Sequence, residues 1–332
     1  MNFLHQLPLL ILGLGDSGLA MARWAARCGA ARIVVADTRP SPPGAARLAA
    51  EVPQAELHCG SPAPALLEGI RLVLKSPGLA PRDAVLAPLL AEAAARGLPV
   101  HGELMLYAQA LADLQAAEGY APKVIAITGT NGKTTTTSMT AQLVERCGLT
   151  VGLAGNIGPT LLDTLGAALD ARAAAAEAGA APVALPEAWV LELSSFQLDG
   201  VCNFEPSSAT VLNVTQDHLD WHGSMAAYAA AKARIFGTRG AMVLNRDDAL
   251  VSAMAPAEAA APTGRGRLNA PAEPERAVLS FGLDAPRRPG DYGLVVENGM
   301  AWLVRAQADE EPARRRRGSA EAASELTLQR LM

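Results

Sequence analysis

Short apolar runs recur along the chain, and segments with a helical spacing of apolar residues follow many of them. The runs begin near residues 9, 33, 72, 124, 151, 189 and 209, and the helical segments include 17–28, 85–96, 103–117 and 134–147. Brief aliphatic runs are typical of strands buried on both faces, and strands that alternate with helices form parallel sheets. The pattern therefore predicts an α/β protein whose sheets are mostly parallel.

The run at Lys123 leads into a glycine-bearing loop, Thr128-Gly-Thr-Asn-Gly-Lys-Thr-Thr135. Strand, loop, lysine, hydroxyl and helix follow one another in the order of a phosphate-binding loop. Its two glycines let the main chain approach phosphate oxygens, Lys133 adds a positive charge, and the Thr134 hydroxyl can ligate Mg²⁺. The spacing departs from the strict G-x-x-x-x-G-K-[ST] pattern, because Ile127 stands where that pattern has glycine. The alternative is a plain strand-to-helix turn.

A second glycine motif, Gly13-Leu-Gly-Asp-Ser-Gly18, follows the first apolar run, and Asp37 ends the next run. In a dinucleotide-binding fold this acid would accept a ribose hydroxyl, so a nicotinamide-dependent oxidoreductase is one alternative. By themselves the glycines indicate only tight backbone packing and an anion at a helix start. A later run ends in Lys75-Ser-Pro-Gly78. This turn stands at the carboxyl end of a strand, where ligands gather in open α/β sheets.

Three further positions carry candidate chemistry. Glu192 ends a predicted strand beside the phosphate loop, the place from which an acid holds Mg²⁺ in nucleotide hydrolases, although a cap of the following turn is the alternative. His218 lies in Asp217-His-Leu-Asp-Trp-His222, a segment that suits either metal ligation or hydrogen bonds within a loop. Lys232 stands among alanines in a predicted helix, where a surface lysine is the ordinary alternative.

Composition narrows the classes of function. The net charge of −5 argues against a nucleic-acid partner, and no apolar run reaches the roughly 20 residues that cross a bilayer, so we expect a cytoplasmic protein. The four widely spaced cysteines are expected to be reduced thiols. Only four of the 28 basic residues are lysines: Lys75, Lys123, Lys133 and Lys232. This bias suggests that a remaining lysine marks a site where arginine cannot serve. Lys133 fits that reasoning, and Lys232 is the next candidate. Lys75 and Lys123 are interpreted as chance survivors of the bias.

Five motifs resemble, in order and spacing, those of the Mur ligases, and the resemblance covers nearly the whole chain. The family's relaxed phosphate loop also accounts for Ile127. The motifs are Thr128-Gly-Thr-Asn-Gly-Lys-Thr-Thr135, Gly155-Asn-Ile-Gly158, Leu191-Glu-Leu-Ser-Ser-Phe-Gln197, Leu212-Asn-Val-Thr-Gln-Asp-His-Leu-Asp220 and Ala230-Ala-Lys-Ala-Arg-Ile235.

The resemblance implies an ATP-dependent ligase of peptidoglycan precursor synthesis with small-molecule substrates, UDP-N-acetylmuramoyl-L-alanine and D-glutamate. In that reaction ATP phosphorylates the alanine carboxylate, and the amine of D-glutamate then displaces phosphate from the acyl phosphate. A carboxylate is a poor electrophile, and the acyl phosphate supplies a leaving group. The family also implies two Mg²⁺ ions, and we expect no membrane or nucleic-acid partner and a monomer.

The resemblance assigns roles residue by residue. It implies that Lys133 stabilises the migrating phosphoryl group, that Thr134 and Glu192 hold one Mg²⁺, and that His218 and a carbamylated Lys232 hold another. Only a neutral amine can react with CO₂ in this way. The implied ATP-binding residues are Gly129, Thr130, Asn131, Gly132, Lys133, Thr134 and Thr135. The implied substrate-binding residues are Asp16, Ser17, Thr38, Arg39, Gly78, Asn156 and Gln197.

The implied fold has a Rossmann-like UDP-substrate domain over residues 1–103, a linker over 104–122 and a P-loop-type ATP-binding central domain over 123–305. Residues 306–332 are predicted to be a loop-rich tail, and its basic cluster at 314–317 is expected to be solvated. The family's C-terminal domain has no counterpart within the 332 residues, so we expect an incomplete and poorly active form.

Three rivals remain open at this point. One is a sibling ligase of the same superfamily, such as another Mur enzyme or a folylpolyglutamate synthase, although the latter lacks the N-terminal unit. Another is a non-catalytic UDP-sugar-binding fragment. The third is the nicotinamide-dependent oxidoreductase suggested by residues 13–18 and Asp37.

Overall fold

The computed structural model describes residues 3–80, 82–256, 276–308 and 326–331. The strands are β1 Pro8–Leu12, β2 Arg32–Asp37, β3 Glu56–Cys59, β4 Leu72–Lys75, β5 Val100–His101, β6 Lys123–Thr128, β7 Val151–Gly155, β8 Ala188–Glu192, β9 Ser208–Val211, β10 Ala241–Asn245, β11 Val278–Phe281, β12 Tyr292–Glu297, β13 Met300–Ala308 and β14 Leu326–Arg330. The helices are α1 Asp16–Arg27, α2 Ala45–Glu51, α3 Ala87–Ala95, α4 Glu103–Glu118, α5 Lys133–Arg146, α6 Leu161–Glu177, α7 Ser195–Leu198, α8 Leu219–His222, α9 Met225–Ala233 and α10 Ala249–Ser252, with 3₁₀ turns at Pro64–Leu67 and Arg234–Phe236.

The first sheet is parallel throughout, in the order β3-β2-β1-β4-β5. Its central strand β1 is aliphatic and fully buried from Leu9 to Leu12, as expected for a strand with helices on both faces. The direction of chain progression reverses between β1 and β4. In open α/β sheets a crevice forms at such a point, outside the carboxyl ends of the strands.

The second sheet runs in the order β14-β13-β12-β11-β10-β9-β6-β8-β7. The strands from β12 to β7 are parallel, and β13 and β14 add an antiparallel edge. The turn between β12 and β13 places Asn298 and Gly299 at φ 50° and 77°, the left-handed geometry that an Asn-Gly hairpin requires. The predicted α/β class, with a mostly parallel second sheet, is confirmed.

Helices α4 and α6 join the two sheets into one body. The Arg23 guanidinium of α1 donates to both carboxylate oxygens of Asp163 in α6, at 2.8 and 2.9 Å. Elsewhere in this region, Tyr107 of α4 packs edge-on against Trp189 of β8, with ring centroids 5.6 Å apart. Both rings are fully buried within a core that contains side chains from both sheets. The shared apolar core therefore holds the two sheets together, and the partly exposed ion pair adds little.

Most predicted elements are present, with differences at the ends and edges. The periodicity gave no prediction of α2 or β3, which are short and carry little buried surface. The second sheet extends beyond residue 305 through the end of β13 and through β14. The predicted basic cluster at 314–317 and most of the predicted tail lie outside the described residues. None of the helices in the described ranges is both long enough and apolar enough to cross a membrane.

Candidate functional site

The phosphate loop lies between β6 and α5, at the carboxyl edge of the second sheet. Gly132 adopts φ 81° immediately before α5, a left-handed conformation that favours glycine. Lys133 folds back over the loop, and its Nζ donates to the carbonyl oxygens of Gly129 and Thr130 at 3.1 and 3.0 Å. The segment after β9 braces the loop, because the Asn213 side chain accepts from the Asn131 N–H at 2.9 Å and donates to its carbonyl at 3.1 Å. These bonds fix the conformation of the loop at the N-terminus of α5.

Lys232 enters this loop from α9 and is only 1% exposed. Its Nζ donates to the same Gly129 carbonyl at 2.9 Å and lies 4.6 Å from the centroid of the Tyr228 ring. Burial first, and the nearby Lys133 charge second, lower the pKa of Lys232 to about 7, whereas Asp217 opposes the shift. The surface-lysine alternative is therefore wrong: this amine is buried beside the phosphate loop and readily becomes neutral.

His218 belongs to a group of closely packed rings beside Lys232, which we call the aromatic cluster. Its members are Phe196, His218, Trp221, His222 and Tyr228. The ring of His218 lies 4.7 Å from Phe196 and 6.3 Å from Tyr228, and its Nε2 is 3.4 Å from an Asp217 carboxylate oxygen. The backbone at His218 is left-handed, with φ 51°. This turn brings the imidazole onto Phe196, on the side of the cluster that reaches Lys232 through Tyr228.

Thr134 and Glu192 line one small cavity of about 130 Å³ beside the loop. Glu192 ends β8, which pairs with β6, and it is 4% exposed. One of its carboxylate oxygens accepts from the Asn156 amide at 3.3 Å. No cluster of three or more His, Cys, Asp or Glu side chains suited to a metal occurs within the described ranges. A hydroxyl and a carboxylate nevertheless fit Mg²⁺, which takes few protein oxygens and completes its shell with water and phosphate.

A larger cavity of about 760 Å³ lies between the two sheets. It is lined by all seven residues predicted to bind the UDP-linked substrate: Asp16, Ser17, Thr38, Arg39, Gly78, Asn156 and Gln197. The first five come from the carboxyl edge of the first sheet and the last two from the second. Residues far apart in the sequence, drawn from two sheets, thus meet in one crevice.

The glycines of the first motif shape this crevice. A Cβ on Gly18 would lie 1.9 Å from the Gly13 carbonyl oxygen, so the start of α1 can approach β1 only because residue 18 has no side chain. Gly13 has φ 85° and is also confined by Ser76, whose hydroxyl donates to its carbonyl at 3.0 Å. The spacing of the motif therefore reflects close packing and a helix N-terminus that faces the cavity.

Asp37 is occupied by the chain's own donors. Both of its carboxylate oxygens are used: the Arg39 side chain donates at 2.8 and 2.7 Å, the Arg39 N–H at 2.9 Å and the Leu14 N–H at 2.7 Å. The Arg39 guanidinium, together with these N–H groups, lowers the pKa of Asp37 to about 2 against the opposing effect of burial. An acid engaged in this way has no oxygen reserved for a ribose hydroxyl, which removes the main support for the oxidoreductase alternative.

Sequence reasoning missed several residues at these sites. Arg47, Thr160 and Asp163 also line the larger cavity, and none of them lies in a glycine motif. The buried His222 bonds the Ser195 hydroxyl at 3.0 Å within the aromatic cluster. The sequence had marked the segment of His222 as suited to metal ligation or to hydrogen bonds, without giving this histidine a role of its own. The four cysteines are free, as predicted.

Two family models match the chain in succession. Residues 8–102 match the MurD-like N-terminal domain of Mur ligases, and residues 127–264 match the Mur ligase middle domain. Because two domain models of the same family match in succession, the chain belongs to the Mur ligase family. Its phosphate-binding loop and the crevice between its two α/β units agree with this assignment.

Two relatives are similar over essentially the whole chain, and both are named UDP-N-acetylmuramoylalanine–D-glutamate ligase. The one from Albidiferax ferrireducens is 54% identical over 334 residues, covering 100% of this chain and 61% of the relative. The one from Burkholderia thailandensis is 54% identical over 336 residues, covering 99% and 62%. The chain therefore spans about three fifths of the length of these relatives.

Among solved structures, a UDP-N-acetylmuramoyl-L-alanyl-D-glutamate–2,6-diaminopimelate ligase aligns at 21% identity with a TM-score of 0.43, over 90% of this chain and 50% of that one.

Proposed function

We propose that the chain carries the UDP-substrate and ATP sites of a ligase that joins D-glutamate to UDP-N-acetylmuramoyl-L-alanine at the expense of ATP. The observation that carries the proposal is the 760 Å³ cavity, into which both sheets contribute the residues expected for the UDP-linked substrate. The match to a MurD-like N-terminal domain favours this substrate over that of a folylpolyglutamate synthase. The names of the two relatives favour it over those of sibling Mur enzymes.

In the proposed reaction the alanine carboxylate of the UDP-linked substrate attacks the γ-phosphorus of ATP, and ADP leaves. The D-glutamate amine then attacks the resulting acyl carbon, loses a proton and expels phosphate. Lys133 is assigned to the migrating phosphoryl group, since its ammonium already lies over the loop and can exchange carbonyl oxygens for phosphate oxygens. Asn156 and Gln197 are assigned to the muramoyl-alanine end of the substrate, because they line the cavity on the side of the second sheet.

Thr134 and Glu192 are assigned to one Mg²⁺, and His218 and Lys232 to the other. When bound, Mg²⁺ neutralises the negative charge that accumulates as phosphate approaches carboxylate. As an ammonium Lys232 cannot ligate a cation, so we assign it a carbamate: the neutral amine attacks CO₂, a C–N bond forms and a proton leaves to solvent. A pKa of about 7 supports this assignment, because it leaves a large fraction of the amine neutral near neutral pH.

The decisive experiment isolates the first chemical step, which needs no D-glutamate. ATP, Mg²⁺ and UDP-N-acetylmuramoyl-L-alanine are mixed with the chain and hydroxylamine, which traps an acyl phosphate as a hydroxamate. We expect hydroxamate that depends on the UDP-linked substrate, a decrease of at least about 100-fold in Lys133→Ala, and no change in Lys123→Ala, whose side chain is exposed. Binding of the UDP-linked substrate is measured in parallel by calorimetry. A chain that binds neither this substrate nor ATP would refute the proposal.

A further inference from the structure

Lys75 is a partly buried lysine that the proposed reaction does not use. It stands at the carboxyl end of β4, and its Nζ donates to the Leu79 carbonyl at 2.7 Å. The same Nζ lies 5.6 Å from the centroid of the Trp221 ring. Burial lowers the pKa of Lys75, and the charge of Asp199 opposes this shift. Asp199 itself pairs with Arg234 at 2.9 Å, so the direct partners of the lysine are a carbonyl and an indole.

These two partners belong to the two different sites. Leu79 ends the loop 76–79, every residue of which lines the larger cavity. Trp221 belongs to α8 in the second α/β unit and packs on Phe196, with ring centroids 4.8 Å apart. Phe196 in turn contacts His218 at 4.7 Å. Lys75 is thus a direct bridge from the wall of the substrate cavity to the aromatic cluster.

The cluster continues to the phosphate loop. His218 contacts the ring of Tyr228 edge-on at 6.3 Å, and the Nζ of Lys232 lies over that same ring. The hydroxyl of Tyr228 is 3.2 Å from the hydroxyl of Thr130 in the loop. A displacement of the loop 76–79 therefore acts on one end of a continuously packed series of side chains, and the other end carries Lys232.

Lysine chemistry suits the first link of this series. A cation over an indole is attracted by the ring quadrupole, and the attraction grows when water is excluded. The ammonium is compact and points a single N–H at the Leu79 carbonyl, whereas a guanidinium would spread several donors over the same place. In a chain with only four lysines among 28 basic residues, this is a third lysine in a setting where arginine would not replace it.

We propose that Lys75 is a positioning residue that couples occupancy of the inter-sheet cavity to the arrangement of His218 and Lys232 at the phosphate loop. The inference rests on the proposed function and goes beyond it. The UDP-linked substrate and the magnesium nucleotide strengthen each other's binding through the contact of Lys75 with Trp221. Coupling between two sites is reciprocal, so it can be measured from either ligand.

The test is a calorimetric titration of UDP-N-acetylmuramoyl-L-alanine into the 332-residue chain. The titration is done without nucleotide and then in saturating Mg²⁺ and a non-hydrolysable ATP analogue. The ratio of the two Kd values is the coupling factor. We expect a factor of at least about fivefold in the unmodified chain, and less than about twofold in Lys75→Met. The matched control Lys123→Met, at an exposed position, should keep the full factor.

A second variant, Trp221→Leu, removes the same contact from the opposite side and keeps the test decisive if Lys75→Met does not fold. It should lose the coupling to the same extent, and the double variant should lose no more than either single one. The inference would be overturned if the coupling factor were the same in the unmodified chain and in the single variants. It would also be overturned if the losses of coupling in the two single variants added up in the double variant. Binding of the UDP-linked substrate with no coupling in the unmodified chain would overturn this inference alone, whereas no binding at all would refute the proposed function.

Discussion

Asp37→Asn is the substitution whose effect the structure defines most sharply. The carboxylate accepts four hydrogen bonds, three from Arg39 and one from the Leu14 N–H. An asparagine retains one oxygen and turns the other acceptor into an NH₂ donor, which then faces the donors that the carboxylate satisfied. The substitution keeps the shape of the side chain and reverses the polarity of half of it.

The expected loss of stability in Asp37→Asn follows from the pKa of Asp37, which is lowered from 3.8 to about 2. At roughly 1.4 kcal/mol per pKa unit, this shift corresponds to about 2 kcal/mol of folding free energy. Solvent screens part of the contribution because the Arg39 side chain is 51% exposed, so we expect Asp37→Asn to lower the free energy of unfolding by about 1–2 kcal/mol at pH 7.

The contribution of Asp37 to the free energy of unfolding decreases as the pH falls. A depressed folded-state pKa contributes stability above the unfolded pKa of about 4, and that stability is lost as pH falls through about 2. The difference between the unmodified chain and Asp37→Asn should therefore be constant from pH 7 to 5 and shrink below pH 4. Urea unfolding at several pH values measures this difference, and hydrogen exchange at the Leu14 amide shows whether its bond to residue 37 is kept.

Asp16→Asn is the matched control, because the Asp16 side chain is 88% exposed and lies 3.9 Å from its nearest cation, Arg47. It should change the free energy of unfolding by less than about 0.5 kcal/mol. Equal stability of the two variants at pH 7 would contradict the reasoning. A deficit of Asp37→Asn that persists undiminished at pH 3 would do the same.

Two further predictions concern the surroundings of the phosphate loop. Gly155→Ala should lower the free energy of unfolding by at least about 2 kcal/mol, because φ is +135° and the new Cβ would lie 2.0 Å from the Glu192 carbonyl oxygen. Gly166→Ala, in the interior of α6 with open space around it, should be neutral or stabilise by about 0.5–1 kcal/mol; equal losses at both glycines in urea unfolding would contradict this. Lys232→Met should raise the free energy of unfolding by about 1–3 kcal/mol at pH 7, since it removes a desolvated amine, while hydroxamate formation falls to background. A less stable variant would indicate that the hydrogen bond to Gly129 outweighs the desolvation of the amine.

Much of the fold could be predicted from local pattern. The strands β1, β6 and β8 are aliphatic runs buried on both faces, and such runs have few alternatives to a parallel sheet. The Asn-Gly hairpin was also predictable from local sequence, because its two positive φ angles depend on the identity of two adjacent residues. The edge elements α2 and β3 were not predictable, since they bury little apolar surface and their pattern is correspondingly weak.

The sequence alone determined which residues belong to the phosphate loop, because loop, lysine and helix are contiguous and the chemistry depends on neighbours along the chain. It also marked Lys232 through the scarcity of lysine. The three-dimensional packing was needed to show that this amine is buried against the Gly129 carbonyl, and that the Asp37 carboxylate accepts its hydrogen bonds from Arg39 and Leu14. The pKa of a side chain, and the hydrogen-bonding positions it leaves unused, are set by burial and by partners distant in the sequence. Burial and such partners exist only after the two sheets have packed together.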